Sequence, residues 1–209
     1  MQSHERVKWI YTSTSEEELE ERYNEWAAHY DTDLENAFGW IGPDRAAETL
    51  SKHVLPGAKV LDVGAGTGLV GVALAARGFT NLVGIDLSEG MLAQAREKKV
   101  YRELRRMVLG QSLEFTTDEF DAAISVGVFT VAHAPAAAFD EIARIVRPGG
   151  FFVFTLRPDT YEQDGFRQKQ EAIEKAGRWH LVERSEPFQT LPKGEPDVYH
   201  EVWMYQIDA

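Results

Sequence analysis

The stretch Val60-Leu61-Asp62-Val63-Gly64-Ala65-Gly66-Thr67-Gly68 constrains the fold more than any other part of this sequence. A short apolar run suits a strand buried on both faces of a parallel sheet. Three glycines follow at alternate positions, and a helix-forming segment begins at Leu69. Glycines at such a junction let the chain turn sharply and let a ligand approach the backbone closely. In open α/β sheets, ligands lie outside the carboxyl ends of the strands, where the strand order reverses. The loop 64–68 occupies that kind of position.

The rest of the chain agrees with this start. Residues 1–15 read as a loose arm. Ser15 followed by Glu16, Glu17 and Glu18 marks a helix start, with acids placed for the helix dipole. That helix runs to about Tyr30, and Leu19, Tyr23, Trp26, Ala27 and Tyr30 share one face. Pro43 opens a second helix through about His53. Strands are then expected at 59–63, 82–86, 104–109, 120–126 and 151–156. Helices are expected at 69–77, 88–98 and 136–146. Strands alternating with helices argue for a parallel sheet covered on both faces. The end differs: a helix at 166–176 precedes strand-like runs at 181–190 and 198–207. Pro192, Gly194 and Pro196 between them favour an antiparallel pair.

Composition removes several function classes. The 209 residues suffice for one domain with a real core. Hydrophobic residues make up 44%, which argues against a disordered chain. The formal net charge of -12 disfavours nucleic acid and anionic membrane surfaces as partners. Arg102, Arg105 and Arg106 cluster against this trend and read as a solvated face. Cysteine is absent, which removes disulfides, thiolate metal sites and iron–sulfur clusters. No histidine pair has helical metal spacing, so no metal is expected. No apolar run reaches the roughly 18 residues of a membrane span, and the polar N-terminus shows no signal-peptide core. A cytoplasmic location is expected.

Three details sharpen the glycine loop. The glycines fall at 64, 66 and 68, whereas a dinucleotide fingerprint places the third one residue later, at Leu69 here. Asp62 lies two residues before the first glycine, where an acid suits an ammonium-bearing ligand better than a pyrophosphate. Asp86 ends the next strand, about 20 residues on, where a carboxylate can accept hydrogen bonds from ribose hydroxyls. Each residue also has a plainer use: the glycines in a tight turn, Asp86 as a helix cap, Asp62 in a backbone contact.

Together with Val83-Gly84-Ile85-Asp86-Leu87-Ser88, Met91, Phe120-Asp121-Ala122-Ala123-Ile124 and Arg147-Pro148-Gly149-Gly150, the loop resembles the successive motifs of class I S-adenosylmethionine (SAM)-dependent methyltransferases over about residues 40–157. Tyr23-Asn24-Glu25-Trp26-Ala27-Ala28-His29-Tyr30-Asp31 and Leu109-Gly110-Gln111 further resemble the Williams–Beuren syndrome region methyltransferase and its bacterial relatives. The resemblance implies a single α/β domain over 1–209. Its fold would be Rossmann-like and doubly wound, a mostly parallel seven-stranded sheet with an antiparallel C-terminal strand. Residues 1–40 would form an arm and helical lid, 41–157 the cofactor-binding core, and 158–209 a C-terminal helix and strand pair. It also implies that Gly64, Ala65 and Gly66 lie against the methionine part of SAM, and Asp62 near its amino group. Asp86 would bind the ribose. Leu87 and Met91 would pack the adenine, and the Leu109-Gly110 turn would meet its edge. Tyr23 and Tyr30 would close over the cofactor, or serve only as the packing stripe of their helix. Val126, at the end of the fourth strand, would join the site. SAM would be the methyl donor and S-adenosylhomocysteine the product.

Methyl transfer from a sulfonium needs alignment and exclusion of water more than it needs acid–base chemistry. A base matters only for an acceptor that must lose a proton. His133 is the titratable residue placed for that role, or else an ordinary loop histidine. Phe129, Arg157, Tyr161, Tyr199 and His200 are candidates to meet the acceptor. The fourth strand lacks the Asn-Pro-Pro-Tyr run of amino-methylating DNA enzymes and the acidic metal ligands of catechol-type enzymes. A small-molecule acceptor remains, with oxygen and nitrogen both open, and oligomeric state is not readable. Two rivals stand beside this reading: a nicotinamide-dependent oxidoreductase and a non-catalytic SAM-binding module.

Overall fold

The computed structural model describes residues 1–130 and 133–209. Its N-terminal part is helical throughout. Helix α1 (Ser3–Tyr11) replaces the loose arm expected there. Ile10 is buried with Leu19, Trp26, Leu34 and Phe38, and Arg6 pairs with Asp33 at 2.6 Å. Too few apolar positions fall in this helix to show a period; tertiary contacts order it. Helix α2 (Glu16–Thr32) starts where Ser15 accepts a hydrogen bond from the Glu18 N–H. A π-helical turn (Asp33–Phe38) ends at Gly39, whose φ of +64° suits glycine. Helix α3 (Gly42–Ser51) follows, with Pro43 in its first turn.

Strands and helices then alternate. The order is β1 (Val60–Val63), α4 (Leu69–Ala75), β2 (Leu82–Asp86), α5 (Glu89–Glu97), β3 (Glu103–Arg106) and β4 (Phe120–Phe129). Beyond these come α6 (Ala138–Ile145), β5 (Val146–Leu156), α7 (Pro158–Gln163), α8 (Phe166–Lys175), β6 (Trp179–Arg184), β7 (Phe188–Leu191) and β8 (Glu195–Ile207). The sheet runs β3-β2-β1-β4-β5-β8-β6, with β7 also paired to β8. Strands β1 to β5 are mutually parallel, and β8 is antiparallel to β5, β6 and β7. This is the doubly wound sheet expected, with its antiparallel C-terminal strand, but it has eight strands rather than seven because the run expected as one strand at 181–190 supplies both β6 and β7. The order reverses between β1 and β4, so the loops after those strands border the crevice where ligands bind in such sheets.

Several boundaries differ from expectation: β3 ends at Arg106 rather than 109, β5 begins at Val146 rather than 151, β8 begins at Glu195 rather than 198, and α7 is an added helix. The run 181–190 divides into β6 and β7, because Pro187 supplies no N–H and Ser185 turns its hydroxyl to the Val202 N–H at 2.9 Å. Strand β4 continues past 126 to Phe129, with a register shift against β5 between Ser125 and Phe129. That irregularity re-aims the side chains at the end of β4. One face of the sheet is aromatic: Phe129, Phe139, Phe152, Phe154, Phe166, Trp179 and Trp203 are buried there. Rings such as Phe129 and Phe139 meet edge-to-face at 4.7 Å. The opposite face is mostly aliphatic, with Val60, Leu82, Ile124 and Val153 of the sheet packed against Ala46 and Leu50 of α3 and Val70 and Leu74 of α4.

Candidate functional site

The glycine loop adopts the backbone its sequence demands. Gly64, Gly66 and Gly68 have φ of +75°, +55° and +92°. The N–H groups of Gly64 and Ala65 both reach the Ile85 carbonyl at 2.8 Å, which binds the loop to the end of β2. A Cβ added at Gly64 would stand 2.3 Å from Val128 Cγ2, so Val128 closes on this glycine and excludes a side chain. A Cβ at Gly66 would meet nothing within 4 Å, since Gly66 faces open space.

Asp86 is fixed at the mouth of the loop. Its Oδ2 accepts from the Gly66 N–H at 2.8 Å and its Oδ1 from the Ser88 N–H at 2.9 Å. Each oxygen keeps a second lone pair for a ligand hydroxyl. Burial pushes the Asp86 carboxyl up to about 6, against the pull of the Ser88 and Gly66 N–H groups. Asp62 lies behind the loop rather than on the cavity wall. Its Oδ2 accepts from the Tyr101 hydroxyl at 2.5 Å, and Tyr101 in turn accepts from the Gly71 N–H at 3.0 Å. Asp62 Oδ1 is buried with no protein partner, and burial raises this carboxyl to about 7.

Helix α2 covers the loop and is fastened to the sheet edge at several points. Asn24 Oδ1 accepts from Ser88 Oγ at 2.8 Å and from the Gly90 N–H at 2.7 Å. Asp31 accepts from Thr67 Oγ1 and pairs with Lys98 at 2.5 Å. Glu20 pairs with Arg106 through both oxygens, at 2.9 and 2.5 Å. With Arg105 on Glu103 and Arg102 on the Thr80 carbonyl, the arginine run is tied down within the protein. The Tyr23 hydroxyl lies 2.8 Å from His133 Nε2, joining the helix to the loop after β4.

These elements enclose a cavity with about 930 Å³ of empty space, part of it open to solvent. Of the residues singled out from the sequence, Tyr23, Tyr30, Gly64, Ala65, Gly66, Asp86, Leu87, Met91, Leu109, Val126 and His133 line it. Gly110 stands beside it, turning at φ +96° against Pro135. Other candidates go elsewhere. Phe129 is in the aromatic core between Phe139, Phe154 and Phe166. Arg157 pairs with Asp159, and Tyr161 packs on Trp203 with centroids 4.9 Å apart. Tyr199 is 43% exposed near Gln189. His200 is buried, and burial together with the Arg157 cation lowers it to about 4. Sequence reasoning passed over Trp40, Met107 and Val128 in the cavity wall, and Tyr101 behind it. Trp40, an aromatic between Gly39 and the Pro43 helix start, was the one with a visible signal. Among the described residues, no group of three or more His, Cys, Asp or Glu could hold a metal ion. None of the described helices is long and apolar enough to cross a membrane.

A parallel sheet whose first strand ends in this loop, with a carboxylate at the end of the second, defines a class, and the comparisons agree with it. The family profile described as a methyltransferase domain matches residues 61–154, and the chain belongs to the SAM-dependent methyltransferases. It is similar to human Methyltransferase-like protein 27, at 34% identity over 165 residues, 75% of this chain and 66% of that protein. It also matches the demethylmenaquinone methyltransferase of Mycobacterium marinum, at 41% identity over 58% of this chain and 52% of the relative. The chain therefore spans about two thirds or less of the length of these curated relatives. In fold it is similar to the methyltransferase solved in complex with the Haloferax volcanii Trm112 methyltransferase activator, with a TM-score of 0.68 and 21% identity, covering 90% of this chain and 98% of that one.

The donor set suits SAM. Gly66 presents open space beside a carboxylate, and the uncompensated Asp62 Oδ1 lies behind the same loop. The raised Asp86 carboxyl leads to a pH dependence. Toward a ligand that offers two hydroxyls, the ionised form is the stronger acceptor at both oxygens, and that form dominates above about 6. SAM affinity measured by calorimetry should therefore hold above pH 7 and weaken by up to roughly tenfold per unit below pH 6. Asp86→Asn should flatten the profile.

Proposed function

We propose that this chain transfers the methyl group of SAM to an oxygen or nitrogen atom of a small-molecule acceptor bound in the cavity under α2. The observation that carries this reading is the convergence on one cavity of the Gly64–Ala65–Gly66 turn, the Asp86 carboxylate and the Tyr23 and Tyr30 phenols. Gly64, Ala65 and Gly66 would hold the methionine part, with Asp62 supporting the loop from behind. Asp86 would accept the ribose hydroxyls. Leu87, Met91 and Leu109, with the Gly110 turn, would enclose the adenine. Val126 would floor the reacting end.

Bound SAM supplies an activated methyl group on a sulfonium whose leaving group is a neutral thioether. The protein's part is then to align and to keep water out, for which a helix fastened over an apolar cavity is suited. Burial holds the Tyr23 phenol un-ionised. With Tyr23 as donor in its contact with His133, the acceptor's proton passes to the Tyr23 oxygen while Tyr23 gives its own to His133 Nε2.

Calorimetric titration with SAM, S-adenosylhomocysteine and NAD tests the cofactor. The first two should bind and NAD should not, and binding by NAD alone would turn the reading to an oxidoreductase. Radiolabelled SAM with a cell metabolite extract tests turnover; SAM binding with no labelled product from any extract would leave a binding module. For an acceptor that must lose a proton, His133→Ala should lower kcat about 100-fold with SAM affinity unchanged within about twofold. An unchanged kcat would remove His133 from the reaction.

A further inference from the structure

Resting on that methyltransferase reading, we propose that the acceptor is a neutral aromatic molecule, a flat ring bearing a hydroxyl or amino group and no carboxylate or phosphate. Beyond the glycine loop, apart from the aliphatic residues on the Leu87–Met91 and Met107–Leu109 side, the cavity wall includes Tyr23, Tyr30, Trp40, Val126, Val128 and His133. Tyr30 and Trp40 stand nearly perpendicular, at 87° with centroids 6.4 Å apart, and Tyr23 and Tyr30 are also 6.4 Å apart. Trp40 lies over Gly127, where an added Cβ would meet its Cζ2 at 3.2 Å. Rings set at these angles present both faces and edges, the geometry in which a further ring packs well.

The charges point the same way. Among the described residues that line the cavity there is no lysine and no arginine. Its acids are Asp86 and Glu16, and burial keeps the phenols of Tyr23 and Tyr30 un-ionised. The nearby cations are already engaged, Lys98 with Asp31 and Arg106 with Glu20. An anionic acceptor would lose its water shell in a cavity that holds two acids and, among the described lining residues, no lysine or arginine; the donor's sulfonium alone would face it, and the product complex would keep no positive charge there. A neutral ring loses only apolar hydration and meets aromatic walls. The polar atoms near those walls, Tyr23 OH and His133 Nε2, suit a hydroxyl or amino nucleophile that gives up one proton. In the step, a bond forms between the acceptor's oxygen or nitrogen and the methyl carbon. The sulfur–methyl bond breaks with its electron pair going to sulfur, and the proton passes to the Tyr23–His133 pair.

The test separates this proposal from the reading beneath it. S-adenosylhomocysteine is titrated first; failure to bind would sink the methyltransferase reading itself. The protein saturated with S-adenosylhomocysteine is then titrated with 2-naphthol and with 6-hydroxy-2-naphthoate, which differ by one carboxylate. The expected result is at least ~30-fold tighter binding of 2-naphthol. Trp40→Ala should weaken 2-naphthol roughly tenfold while S-adenosylhomocysteine binding stays within about twofold, and Trp40→Phe should restore it. Equal or tighter binding of the carboxylate, no binding of 2-naphthol, or indifference to Trp40→Ala would each overturn the proposal. So would methyl label from SAM and a metabolite extract that collects in the anion-exchange fraction at pH 7.

Discussion

Asp86→Ala is expected to weaken SAM binding by at least about 100-fold. The ribose offers two hydroxyls, and the carboxylate is already aimed by the N–H groups of Gly66 and Ser88. Hydrogen bonds to a charged group contribute about 1.5–3 kcal/mol each, so losing two costs roughly 3 kcal/mol or more. The fold should survive. Burial holds the Asp86 carboxyl above its ordinary range, so removing it relieves a desolvation burden that offsets the loss of its bonds from the Gly66 and Ser88 N–H groups. Calorimetry gives the affinity and a thermal melt gives the stability. A Kd within threefold of the parent would end the ribose assignment.

Gly64→Ala should damage both stability and cofactor binding. Its φ of +75° strains any residue with a Cβ, and that Cβ would stand 2.3 Å from Val128 Cγ2. Strain of this kind costs about 1–3 kcal/mol, and the collision adds to it. A loss of about 3 kcal/mol is expected from denaturant unfolding. Gly66→Ala, strained at φ +55° but facing open space, should lose only the strain. Adding Val128→Ala to Gly64→Ala should recover the steric part, with a coupling of about 1 kcal/mol or more. Strictly additive effects would show that Val128 does not close on the loop.

Much of the fold was legible because its signals are local. A strand buried on both faces must be apolar along its length, as Val60–Val63 is, and a turn needing positive φ must use glycine. What escaped notice is held by residues distant in the chain. Tyr101 meets Asp62 across 39 positions and Asp31 meets Thr67 across 36. Nothing in the neighbours of either residue announces the contact. Helix α1 is ordered by Asp33 and Phe38, not by a period of its own. The acceptor candidates lie at or after strand ends, and a position of that kind faces the crevice by rule only when the strand is regular. The irregularity between Ser125 and Phe129 breaks that rule: Val128 lies on the glycine loop and Phe129 enters the core.

The fastening of α2 over the crevice has a kinetic consequence. Asn24, Asp31 and Glu20 bind one helix to three places, so any widening of the crevice by lifting α2 must release all three attachments together. Individually these are weak, exposed charge pairs counting for about 0.2–1 kcal/mol and a neutral bond for about 1. On the proposed methyltransferase reading their sum adds to the barrier for product departure, and Glu20→Ala is expected to speed S-adenosylhomocysteine release in a stopped-flow displacement.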